Sequence, residues 1–167
     1  MRTWFQALSS SLLLGCGLLG CGPEVGVVTV AELDPDIYAD HVQPVVHYGC
    51  ANLIECHGGP GRPLRIYAVD QLRAPGTATR SEPLSAAELA WNVQAFEGVD
   101  PAAADVSTSM ILLKPLARAG GGVAHEGGEL WPTRDDAAYR CLEAWLLGDG
   151  EGAARECARA PTYPPLP

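Results

Sequence analysis

The chain has 167 residues, 20 of them acidic and 11 basic, for a net charge of −9, and Lys114 is its sole lysine. That balance excludes a nucleic-acid-binding protein and polybasic docking on a membrane. With 7% aromatic residues, 19 glycines and 14 prolines, a single domain of this length has a modest core, which a buried cofactor would help to fill.

The N-terminus carries one positive charge, Arg2, followed by an apolar run from Leu8 to Leu19 broken only by serines and glycines. The run is too short for a permanent membrane span and has the anatomy of a secretory signal. It ends in Leu18-Leu19-Gly20-Cys21, which resembles a bacterial lipobox, as does Leu13-Leu14-Gly15-Cys16. Acylation at Cys21 leaves an even set of four cysteines, Cys50, Cys56, Cys141 and Cys157, as an oxidising compartment favours. Processing at Cys16 would strand Cys21 as an odd thiol. Residues 1–20 are thus expected as signal peptide and 21–33 as a tether behind the lipid. Gly22 carries no acidic retention signal, so the expected destination is the outer membrane, facing the periplasm.

Asp34-Pro35 predicts a helix start, an N-cap acceptor before a proline in the first turn. Ile37, Val42, Val45 and Val46 give its apolar face up to Gly49, with Pro44 interrupting or restarting it. Residues 58–63, Gly-Gly-Pro-Gly-Arg-Pro, predict a loop, and Leu64 to Tyr67 a brief extended segment. Ser85-Ala-Ala-Glu88 has the form of a capping box and predicts a helix to about Phe96. Ser109 to Leu116 is short and apolar, and 119–128 is glycine-rich around His125. Asp135 and Asp136 cap a last predicted helix through Leu147, with Tyr139, Leu142, Trp145 and Leu146 at helical spacing. Gly148 to Gly152 reads as a turn and 161–167 as a disordered tail. Trp91, Trp131 and Trp145 read as core. The expectation is an all-α domain of three to four helices with long Gly/Pro-rich loops. Such loops are expected when they wrap a flat prosthetic group instead of packing on each other.

The segment Cys50-Ala-Asn-Leu-Ile-Glu-Cys56-His57 carries the chemistry. Two thiols can add to the two vinyl groups of haem, and the histidine after the second thiol then sits beneath the iron. The usual spacing leaves two residues between the cysteines; here there are five. A Cys50–Cys56 disulfide is the competing reading of the same pair. A zinc site from His47, Cys50, Cys56 and His57 lacks the paired spacing of structural zinc sites. His41 and His47, on the first predicted helix, read as surface or supporting residues. Cys141 and Cys157 remain, and a disulfide between them would pin the C-terminal segment to the last helix. No Ser/His/Asp arrangement, phosphate-binding glycine motif or catalytic carboxylate pair occurs, so no enzyme is expected.

Three segments together resemble the divergent c-type cytochrome domains of myxobacteria and planctomycetes. The first runs from Asp40-His-Val-Gln-Pro44 through Cys56-His57-Gly58. The second is Ser109-Met-Ile-Leu-Leu-Lys114-Pro115, similar to a Ser-x-Leu-Leu-x-Lys-Pro element. The third is His125-Glu-Gly127-Gly128 with the helix that ends in Trp145-Leu146. The resemblance implies a cytochrome c-like domain over 34–160 with one haem c. Cys50 and Cys56 would attach it, and His57 would be its proximal ligand, oriented by a backbone carbonyl. His125 is the candidate distal ligand and Met110 the rival, since Met/His ligation is common in such proteins. It also implies electron transfer between partner proteins at the membrane to which the lipid on Cys21 holds the chain. The alternative is a haemless structural or binding lipoprotein with a degenerate domain and two disulfides.

Overall fold

A computed structural model describes residues 32–99 and 105–162. The signal segment, Cys21, most of the tether and residues 163–167 lie outside them. The described residues form helices joined by long loops, with one isolated parallel bridge, Leu116 to Trp131, and no strand. All-α therefore describes this architecture. None of these helices is long and apolar enough to cross a membrane.

The first helix starts where its cap predicts. The Asp34 carboxylate accepts from the amides of Asp36 at 2.9 Å and Ile37 at 3.1 Å. The run then alternates α and π geometry: α over Pro35–Ile37, π over Tyr38–Val42, α over Gln43–Val46 and π over His47–Ala51. Pro44 neither breaks nor restarts it. Proline lacks an N–H and its ring crowds the carbonyl four residues back; the wider π turn ahead of it, in which Gln43 N–H reaches Tyr38 O, accommodates both defects. The helix consequently runs past Gly49 and carries Cys50 in its last turn. Tyr38, Val42, Val45 and Val46 form its buried face, with Tyr38 more deeply placed than Ile37.

The Ala86–Glu97 helix has both halves of the expected capping box: Ser85 Oγ accepts from Glu88 N–H, and Glu88 accepts from Ser85 N–H at 2.9 Å. Glu88 also meets the Arg73 guanidinium in a two-pronged pair at 2.9 and 3.0 Å, with both side chains buried. Four carbonyls, of Thr79, Arg80, Glu82 and Pro83, accept the remaining Arg73 donors. This pair gathers the loop between residues 70 and 85 onto the helix. One turn on, the buried Asn92 accepts from Tyr67 N–H at 2.7 Å and donates to Tyr67 O and Gln43 Oε1, each at 2.9 Å. The Leu64–Tyr67 segment, expected to be extended, forms no strand; Tyr67 is held by the Asn92 side-chain amide.

Ser109 caps the short Met110–Leu113 helix, and Asp136 caps the Ala137–Leu146 helix. Asp135 is not a cap; it pairs with Arg140. Tyr139, Leu142, Trp145 and Leu146 are buried as predicted. Trp145 stacks at a tilt on Tyr38, 5.1 Å between centroids, and meets Phe96 edge-on at 5.6 Å, tying three helices together. Trp131 packs edge-on against Tyr139. Trp91 departs from the core reading and is 52% exposed.

The expected turn over 148–152 is shorter than predicted, because Gly150–Cys157 is a helix. Asp149 caps it through Gly152 N–H at 2.9 Å. A Cβ at Gly152 would lie 2.1 Å from the Asp149 carboxylate, so the glycine that reads as a breaker is what the cap requires. The Cys141–Cys157 disulfide joins this helix to its predecessor across a separation of 16 residues. Replacing both cysteines by alanine is expected to lower stability by ~3 kcal/mol in the chain-entropy view of such a loop. Urea unfolding of the variant and the wild type measures it; an unchanged midpoint would show that packing alone holds the hairpin.

Candidate functional site

The five residues between Cys50 and Cys56 fold as a protruding turn. Cys56 N–H bonds to Leu53 O at 3.1 Å, and His57 N–H returns to Cys50 O at 3.0 Å. Leu53 and Ile54 are thereby pushed outward, each 54% exposed, while His57 is brought back to the helix end. The return needs glycine twice: a Cβ at Gly58 would lie 2.2 Å from Ala51 O, and one at Gly59 1.8 Å from Ile54 O. Ile66 N–H on His57 O and Leu72 N–H on Gly58 O anchor the far side of the turn. The long spacing thus still places both cysteines and the histidine on one cleft.

Cys50 and Cys56 are half-buried and unjoined, in contrast to Cys141 and Cys157. Burial pushes the Cys50 thiol up to about 12, and the neighbouring Cys56 adds to the shift. Cys50 is therefore a neutral thiol at physiological pH.

His57 and His125 meet across the cleft. Their rings are parallel within 9°, with centroids 6.1 Å apart. His57 Nδ1 lies 2.9 Å from Leu64 O, and His125 Nδ1 lies 3.1 Å from Gly128 O. A carbonyl only accepts, so each Nδ1 carries the proton and each Nε2 keeps a lone pair. Burial lowers the His57 pKa; the Leu64 carbonyl opposes this, and the positive neighbourhood of His125, Arg62 and Lys114 reinforces it. The imidazole is neutral at pH 7, the form that binds metals. Gly127 lets the chain pass the His125 ring: a Cβ there would lie 2.8 Å from the ring carbon Cε1.

The two imidazoles stand between two adjoining cavities of about 670 and 1020 Å³. Both cavities share Cys50, His57, Lys114, Pro115, His125 and Leu142 in their walls. Cys56 faces only the larger one. Met110 faces only the smaller one, with Trp91 and Phe96. His47 is buried in the first helix, not on the surface, and His41 is half-buried. Among the described residues no three His, Cys, Asp or Glu side chains converge on one point, so the zinc arrangement is not assembled. The neighbouring loops are linked by Arg62, which donates to Glu55 O at 2.9 Å and pairs with Glu126.

The sequence reading missed the cleft residue Arg65, placed Trp91 in the core, and used Lys114 only as part of a motif. Arg65 carries no periodic or spacing signal. Comparison of the chain with protein-family models, curated proteins and solved structures finds no match.

Proposed function

We propose that this protein is an exported lipoprotein that carries one covalently attached c-type haem in a cytochrome c-like domain and passes electrons between redox partner proteins. The observation that carries the reading is the facing pair of imidazoles. A ring nitrogen bonds a metal at ~2.0–2.1 Å, so two rings on opposite sides of one ion have centroids about 6 Å apart. The 6.1 Å found for His57 and His125 fits that spacing. The fit extends to the Nδ1 carbonyl partners, the two unjoined thiols beside His57, and mostly apolar cavities of a size suited to a cofactor, ~300–1,000 Å³.

When bound, haem supplies an iron that alternates between two oxidation states and so carries a single electron. Cys50 and Cys56 would hold the group through thioether bonds, and His57 and His125 would ligate its iron. Two protein ligands would leave no open site for a substrate, which favours electron transfer over catalysis. The Leu64 and Gly128 carbonyls fix the tautomers and orient the rings. Leu64, Ile111 and Leu142 give the cleft an apolar wall. Cys21 would carry the lipid that holds the domain at the outer membrane, facing the periplasm.

Mass spectrometry of the mature protein tests this. A haem adduct on the peptide containing Cys50 and Cys56 is expected. The same peptide lighter by two hydrogens would overturn the reading and leave a haemless lipoprotein with two disulfides.

A further inference from the structure

The two cavities differ in charge. Glu55, Glu126 and Asp136 accompany Arg62, Lys114 and Arg118 around the larger one. The walls of the smaller one contain Arg65 and Lys114 and no carboxylate. Among the described residues neither of these two cations forms an ion pair, as is also true of Arg80, Arg118 and Arg134. What sets the smaller cavity apart is that its walls carry two cations and no carboxylate to balance them. They fit a ligand that brings its own anions.

The thiols provide the direction. Cys56 faces only the larger cavity and Cys50 borders both, so the attachment end of the cleft lies towards the larger cavity. Haem has its vinyl groups on one edge and its two carboxylates on the opposite one. We infer that the carboxylate edge of the cofactor lies in the smaller cavity, paired with Arg65 and Lys114, and its thioether edge in the larger. Arg65 and Lys114 are then the residues that orient the ring and offset its negative charge. This rests on the haem reading above.

The test uses the haem-loaded full-length protein. Its midpoint potential is measured as a function of pH for the wild type and for Arg65→Gln, Lys114→Gln, Lys114→Arg and Arg118→Gln. A carboxylate beside a cation titrates ~1–3 units below its ordinary value, so losing the cation moves the acid break in the potential upward by about one unit or more. Removing a nearby positive charge also favours the oxidised state, about tenfold in the ratio or ~59 mV for a one-electron couple. Both effects are expected for Arg65→Gln and Lys114→Gln. Lys114→Arg is expected to keep the wild-type break, and so is Arg118→Gln, at the larger cavity. A break unmoved by Arg65→Gln and Lys114→Gln, or moved by Arg118→Gln in their place, overturns this inference and leaves the haem reading standing. A wild type that carries no haem overturns both.

Discussion

Replacing His125 with alanine is expected to change the iron from low-spin to high-spin or water-ligated while the haem stays covalently attached. In the proposed haem-bound form, attachment would rest on Cys50 and Cys56 and proximal ligation on His57, across the cleft from the His125 loop. His125 is held from its own loop, through Gly128 O, and faces His57 with the spacing of an opposed ligand pair. Added imidazole should restore the low-spin absorption spectrum by filling the vacated position. Met110→Leu should leave that spectrum nearly unchanged, since Met110 is 41% exposed and borders only the smaller cavity, whereas His125 borders both. The opposite pattern in the two variants would transfer the distal role to Met110.

Arg73→Ala is expected to give the largest loss of stability. It leaves the Glu88 carboxylate buried without its cation, a change that costs ~3–5 kcal/mol in comparable pairs, against a total of ~5–15 kcal/mol for a domain. Glu88 is 1% exposed, so water cannot take the place of the guanidinium. Burial by itself raises the Glu88 pKa, but Arg73 and the amides of Ala74 and Ser85 outweigh it and hold the carboxyl at about 2, below its ordinary 4.5. A lowered folded-state pKa contributes stability above pH 4.5 that is lost as pH falls towards about 2. Guanidinium unfolding at a series of pH values measures both effects. A destabilisation below 1 kcal/mol at neutral pH, or a wild type whose stability does not fall through that acid window, would count against this role for the pair.

The parts of the fold legible in the sequence are those whose causes are local. Asp34, Ser85 with Glu88, and Asp136 mark helix starts because a cap involves only residues within one turn. The buried faces of the first and last predicted helices followed from spacing for the same reason. The Gly150–Cys157 helix was not legible: its two glycines argue against a helix, and its support comes from Asp149 and from a disulfide to the preceding helix. The partners of the Arg73–Glu88 pair are 15 positions apart, one in a loop and one in a helix, and no periodicity connects them. At the site, Cys-His adjacency marked Cys56 and His57, and the glycines around His125 marked a loop that could come close to the cleft. Which carbonyls would orient the two rings, and which cations would line the cleft, depend on how distant loops return, and these became visible only in three dimensions.

Thiol–disulfide exchange proceeds through the thiolate, and that gives the burial of Cys50 a kinetic meaning. With its thiol held at about 12, Cys50 presents only about one part in 10⁵ as thiolate at pH 7. It is therefore a slow nucleophile towards the Cys141–Cys157 disulfide of the C-terminal hairpin. Cys141 and Cys157 are meanwhile removed from the reactive pool by their own bond. Of the four described cysteines, the fold thus joins two that lie on neighbouring helices and keeps Cys50 as a neutral thiol beside the cleft.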